Sequence, residues 1–331
     1  MNWIQSVLQS KRRLAIPVMT HPGIEALGYT VREAVTDGEK HFRAIQWLSD
    51  NYPADAATAI MDLTLEAEAF GATINFPEEE IPSVTGRLVC DYDSVAALAV
   101  PTLEVGRVPE YLKANRLAVE HIHNKPILSG CIGPYSLAGR LYDMSELMLG
   151  IYMEPDTIHL LLSKCTDFLI DYCLALKATG TQGVIMAEPA AGLLSDDDCS
   201  EFSSRYVKRV VEAVQDDDFT LVLHNCGNSG QCTGAMLASR AAALHFGNAI
   251  DLNEVLRVAP PEVVVMGNLD PVSIFKQADA HALTAAVDAL LESTAPNPNL
   301  VLSSGCDLPP GVPAENLDAF FEAVNRFNQQ R

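Results

Sequence analysis

The sequence predicts an α/β fold, a TIM-type (β/α)8 barrel of one domain, from three observations. Short β-branched or apolar runs alternate with longer stretches of helical periodicity, the pattern of parallel strands joined by crossover helices. Eight such runs can be counted, each closing on a polar or glycine-rich turn. A chain of 331 residues, 48% hydrophobic and 20% charged, is long and apolar enough to fill one large core.

In chain order the predicted strands lie near residues 15–20, 57–62, 127–130, 183–188, 220–224, 242–246, 263–268 and 300–303. Between them helical periodicity predicts helices over 32–49, 109–123, 155–179, 196–214, 251–258 and 281–293, with 314–327 closing the chain. Residues 1–13 are set apart as an N-terminal extension; within it Met1–Ser10 mixes polar and apolar residues and lacks the apolar core and cleavage site of a secretion signal. No run approaches the roughly 18 apolar residues of a membrane helix, so a soluble, cytoplasmic protein is expected. The net charge of −21, with no basic run beyond Lys11-Arg12-Arg13, argues against a nucleic-acid partner. Eight cysteines in such a chain are expected to be thiols, a few for metal or catalysis and the rest for packing.

A barrel places its active face just after the strands. The polar residues at those points are His21, Asp62, the turn from Cys131 to Tyr135, Glu188, His224-Asn225-Cys226, His245, Asn268 with Asp270, and Cys306 with Asp307. His224 and Cys226 are two apart at the end of an extended run, so both side chains face the same way. Cys306 closes the last strand. One imidazole and two thiolates suit Zn²⁺, and three protein ligands leave a fourth position open, as in a catalytic zinc site. A thiol entering that position would lose its proton. The bland alternative is two buried thiols and a hydrogen-bonded loop histidine, and spacing alone leaves both readings standing.

Longer motifs carry a resemblance. His224-Asn225-Cys226-Gly227-Asn228, Gly267-Asn268-Leu269-Asp270-Pro271, Ser303-Ser304-Gly305-Cys306 and Pro313-Ala314-Glu315-Asn316 resemble the uroporphyrinogen decarboxylase superfamily, and within it the methylcobamide:coenzyme M methyltransferase branch. Asp62-Leu63-Thr64, Glu68-Ala69-Phe70-Gly71 and Gly133-Pro134-Tyr135-Ser136-Leu137-Ala138-Gly139 match as well, so the resemblance spans roughly residues 14 to 325. The branch follows from departures. Where decarboxylases carry an arginine-rich Met-Arg-Gln-Ala-Gly-Arg segment for the carboxylates of a tetrapyrrole, this chain reads Met19-Thr20-His21-Pro22-Gly23-Ile24. The decarboxylase tyrosine after its Thr-Leu pair falls at Arg140, and the C-terminal Gly-His-Gly becomes Gly305-Cys306-Asp307.

The resemblance implies a zinc-dependent methyltransferase with His224, Cys226 and Cys306 as ligands, a methylated corrinoid on a separate protein as donor, and a small thiol such as coenzyme M or homocysteine as acceptor. Asp62 matches the decarboxylase's catalytic aspartate, with a helix cap as the ordinary alternative. Glu188 is a further zinc ligand or the acceptor that orients His224. His21, Tyr135, Arg140, Asn268 and Asp270 are candidate contacts to the corrinoid or substrate at the mouth, although Asn268 and Asp270 could equally build a turn. His245 reads as an ordinary cavity hydrogen-bond group, His121 and His123 as surface, Cys232 as a loop thiol, and Cys90, Cys165, Cys173 and Cys199 as packing. Competing readings are a tetrapyrrole carboxy-lyase, corrinoid-to-tetrahydrofolate methyl transfer, and a non-catalytic corrinoid-binding protein. The oligomeric state is open.

Overall fold

The computed structural model describes residues 2–330 and has the barrel. Its strands are β1 (Leu14–Ala15), β2 (Ala57–Thr58), β3 (Ile127–Ile132), β4 (Gly183–Ala187), β5 (Thr220–Asn225), β6 (Ala243–Phe246), β7 (Val264–Leu269) and β8 (Leu300–Ser304). They form one eight-stranded sheet, ordered β1-β8-β7-β6-β5-β4-β3-β2. Every neighbouring pair is parallel. The ends of the sheet meet at a thin seam between β1 and β2, where the Asp55 amide donates to the Ala15 carbonyl at 2.9 Å. The Asp55 carboxylate accepts the Ala15 amide at 2.8 Å across the same seam.

Strands β3 to β6 are buried along their whole length, because the barrel interior covers one face and helices cover the other. The chief covering helices are Gly38–Asn51, Val108–His121, Pro155–Ala178, Arg205–Val214, Leu252–Val258, Ala280–Ser293 and Ala314–Gln329. A helix over Trp3–Gln9, capped by the Asn2 side chain, closes the N-terminal end of the barrel. Trp3, Ile4 and Val7 pack against Ile16, Val222 and Val301, and the Trp3 indole donates to Thr220 Oγ1 at 2.6 Å. The helix is therefore seated against the floor of the barrel.

Three expectations change in detail. The helix expected over 32–49 is two, Val31–Thr36 and Gly38–Asn51, because Asp37 ends one and caps the next by accepting from the Glu39 and Lys40 amides. The helix expected over 196–214 passes through a wider turn at Ser200–Ser204. The strands expected over 15–20 and 57–62 keep regular pairing for only two residues each, since each has a ladder partner on one side alone. A short hairpin, Thr73–Asn75 with Ser83–Thr85, lies outside the barrel. Among the described residues no helix is long and apolar enough to cross a membrane.

Candidate metal centre

Parallel register fixes what meets at the mouth. His224 on β5 lies opposite His245 on β6, and Ser303 on β8 lies opposite Asn268 on β7. Cys226 follows β5 in a turn closed by the Asn225 side chain, which accepts the Gly227 amide at 3.1 Å. That turn presses backbone to backbone against the segment after β4. A side chain on Gly192 would sit 2.3 Å from the Gly227 carbonyl carbon, so only glycine allows the approach. Cys306 enters from the end of β8, where the Gly305 amide donates to the Leu269 carbonyl at 2.6 Å.

These two turns bring the donor atoms of His224, Cys226 and Cys306 within 4.8 Å of one another. His224 is buried and both cysteines are partly buried. His224 Nδ1 is 2.7 Å from His245 Nδ1, while its Nε2 is buried without a hydrogen-bond partner. A buried polar atom with no partner is costly unless something outside the protein completes it. One ion with Zn–S near 2.3 Å and Zn–N near 2.0 Å would hold such donors about 3.5 to 3.8 Å apart, so the cluster fits zinc. The two thiols also polarise each other. The hydrogen bond from Cys306 brings the Cys226 thiol down to about 7 against the burial that raises it. That same bond, with burial, pushes Cys306 up to about 12, with His224 opposing the rise. Burial, and then the neighbouring His224, hold His245 well below the usual histidine range, so it is neutral.

Glu188, at the end of β4, is turned elsewhere. Its carboxylate accepts from the Tyr135 and Ser136 amides, at 2.9 and 2.6 Å, and from Ser203 Oγ at 3.0 Å. It thus caps the helix Pro134–Tyr142. Of the two roles expected for Glu188, the acceptor that orients the His224 ring is instead His245, and the Glu188 backbone amide donates to the His224 carbonyl at 2.8 Å.

Asp62 is buried with both oxygens committed. Oδ1 accepts from the Thr64 amide and hydroxyl at 2.9 and 2.7 Å, and Oδ2 pairs with Arg107. Arg107 also holds Glu68 Oε2 at 2.6 Å, Thr64 Oγ1 at 3.0 Å and the Val35 carbonyl at 3.1 Å. Beside them Glu66 is fully buried, and its carboxyl is pushed up to about 7 by burial. Arg107 escaped the sequence reading because nothing local marks it; its partner Asp62 is 45 positions away.

The remaining candidates divide. His21 is buried at the start of the helix His21–Ala26, its Nδ1 is unpartnered, and burial lowers its pKa to about 4. Next to it Thr20 donates to Asp307 at 2.8 Å, tying the segments after β1 and β8 together beside Cys306. The Tyr135 ring is fully buried, its hydroxyl unpartnered. Arg140 is exposed, six residues along the helix that Glu188 caps. Asn268 donates to the Gly247 and Ile250 carbonyls at 2.9 and 2.7 Å. Asp270 accepts from the Val272, Ser273 and Asn248 side-chain or backbone N–H groups at 2.8 to 3.0 Å, which is turn-building.

Over residues 13–327 the sequence matches the uroporphyrinogen decarboxylase (URO-D) family. A methylcobamide:CoM methyltransferase of Methanosarcina mazei is 26% identical over 309 residues, covering 92% of this chain and 89% of that protein. A uroporphyrinogen decarboxylase of Xylella fastidiosa is 27% identical over 295 residues, covering 84% and 82%. Among solved structures, a methyltransferase from Methanosarcina mazei superposes with a TM-score of 0.89 at 23% identity, covering 98% of this chain and 97% of that one. That likeness is one of fold.

Proposed function

This chain belongs to the uroporphyrinogen decarboxylase family, and from that premise we propose that it is a zinc-dependent methyltransferase, moving a methyl group from a methylated corrinoid held by a separate protein to a small thiol such as coenzyme M. One observation carries the reading: an unpartnered imidazole nitrogen and two thiols converge within 4.8 Å at the C-terminal ends of the barrel strands.

His224, Cys226 and Cys306 would hold the ion. Zinc bound there supplies Lewis acidity that lowers the pKa of an incoming thiol and so makes sulfur nucleophilic near neutral pH. The chain's own residues set the stage for that chemistry. In the Cys226–Cys306 pair the first proton is easily lost, at about 7, and the second, held at about 12, is the one a metal would have to displace. The neutral His245 holds the His224 ring from behind. His21 stays uncharged near pH 7, so the wall beside Cys306 adds no cation to compete with the ion. A methylated corrinoid bound there would supply an electrophilic methyl group to the acceptor sulfur and keep the electron pair of the bond that breaks, the thiol proton leaving to solvent. The corrinoid would dock over the mouth, with His21, Asn268 and Asp270 on its rim as proposed contacts and Tyr135 and Arg140 as more distant candidates. Asp62 and Glu188 would act by holding the walls of the site, given the partners that occupy their oxygens.

Uroporphyrinogen decarboxylation is the competing activity, favoured by relatives of 27–28% identity. Against it stand Thr20 and Ile24, where the decarboxylase segment has arginines, and an Asp62 already saturated by Thr64 and Arg107. The discriminating experiment incubates the zinc-loaded protein with methylcobalamin and a panel of small thiols, and separately with uroporphyrinogen. Thioether formation that vanishes in Cys306→Ser, with no release of carbon dioxide from uroporphyrinogen, is the expected result. Decarboxylation without thiol methylation would overturn the proposal.

A further inference from the structure

A chain of hydrogen bonds behind the metal cluster has a direction that can be read from its last link. Ser303 Oγ lies 2.7 Å from the carbonyl oxygen of Ile16, and a carbonyl cannot donate, so the single hydroxyl proton of Ser303 is spent there. Ser303 Oγ therefore accepts from His245 Nε2, 2.9 Å away, which places the His245 proton on Nε2. The 2.7 Å contact between the two Nδ1 atoms needs one donor and one acceptor, and His245, which carries its proton on Nε2, offers the Nδ1 lone pair. The group 2.7 Å from it is His224 Nδ1, which must then be the donor. His224 is left with a lone pair on Nε2, the atom with no protein partner.

We infer that His245 is a positioning residue: through this one-way chain, ending on the Ile16 carbonyl, it fixes His224 as the Nδ1–H tautomer and presents the Nε2 lone pair to Cys226 and Cys306. The rings meet nearly edge to face, 4.6 Å between centroids at 74°, so the contact sets the tilt of the His224 ring as well as its protonation. Both histidines and Ser303 are buried, so water does not offer either ring an alternative donor or acceptor. The partner is a neutral imidazole rather than the carboxylate common behind metal-binding histidines. It orients the ligand without adding negative charge beside two thiolates. The anchor also crosses the barrel: the segment just after β1 supplies the carbonyl, β8 the hydroxyl, β6 the relay and β5 the ligand.

The functional part of this inference rests on the zinc reading; the tautomer does not, and the test separates them. Long-range ¹H–¹⁵N correlation spectra of the metal-free wild-type protein report which ring nitrogen of each histidine carries the proton, with His245→Asn and His224→Gln used for assignment. The expected result is Nδ1–H on His224 and Nε2–H on His245. An Nε2–H on His224 in the wild type would overturn the inference, whatever the protein does with zinc. Zinc affinity measured by chelator competition then tests the consequence. His245→Phe, which keeps a ring but offers no acceptor, is expected to bind zinc about 10- to 100-fold more weakly. His245→Asn, whose amide oxygen can accept from Nδ1, is expected to recover part of that loss, and His245→Phe binding as tightly as wild type would contradict a positioning role. If His245→Phe does not fold, the wild-type spectrum still decides. If wild-type protein binds no zinc while the tautomers are as stated, it is the zinc reading that fails.

Discussion

Two polar clusters sit on the same rim of this barrel and are built on opposite rules. Behind β2, Asp62 and Glu68 are matched by Arg107 and Thr64, so the charged groups saturate one another within the protein. At the ends of β5 and β8, His224 Nε2 has no hydrogen-bond partner and lies beside two thiols that bond only to groups of the same cluster. Both clusters are buried or nearly so, and burial makes incomplete polar groups expensive. The difference teaches where to look for a metal: not at the Asp62–Glu68–Arg107 network, whose opposite charges are paired, but where metal-type donors are collected around a nitrogen left short of a partner.

The largest expected effect breaks the incomplete cluster. Cys226→Ser with Cys306→Ser should abolish stoichiometric zinc binding, measured on protein dialysed against a weak chelator, while leaving the apo fold intact. Next comes the saturated cluster. Arg107→Ala strands the buried Asp62 carboxylate and should lower stability by about 3 to 5 kcal/mol in urea unfolding, with zinc content unchanged. Equal losses of zinc in the two variants would erase the distinction drawn between the clusters.

A third effect is a pH dependence. Glu66 has a folded pKa near 7, raised by burial above the ordinary carboxylate value. Between pH 4.5 and 7 the folded protein then holds a proton that the unfolded chain has lost. The favourable contribution of this group is complete below about pH 4.5 and falls as pH rises through 7. Glu66→Gln should flatten that decline, gaining on wild type by ~3 kcal/mol at pH 8, as read from urea midpoints at pH 5 and pH 8. A parallel decline in both proteins would contradict the assignment. The smallest effect sharpens the boundary of the metal cluster. Cys232 is six positions from Cys226 but is fully buried against the Ala191 and Leu194 carbonyls. Cys232→Ala should leave zinc affinity within about twofold of wild type, consistent with a residue outside the donor set.

Much of this was legible in the chain because it is local. The eight strands and the longer helices announce themselves by period, and His224 with Cys226 by a two-residue spacing at a strand end. The first two strands were read too long. Beyond Ala15 the alignment with β8 continues partly through side chains, with Ser304 Oγ accepting the Val18 amide at 3.0 Å, and no sequence pattern distinguishes such a link from a ladder bond. The seating of the helix Trp3–Gln9 has no local signal, since it depends on Trp3 meeting Thr220, 217 positions away. Likewise the partner of His224 was sought in Glu188. The true partner depends on the register of β5 against β6, and its anchor on Ser303, 58 positions from His245.

The central claim is that His224, Cys226 and Cys306 form one metal site. It is tested most directly by elemental analysis of the purified protein beside its Cys306→Ser variant. The account predicts about one zinc per wild-type chain, as three converging donors require, and little in the variant. Wild-type protein that takes up no zinc when refilled under reducing conditions, or a variant that retains it in full, would contradict the account.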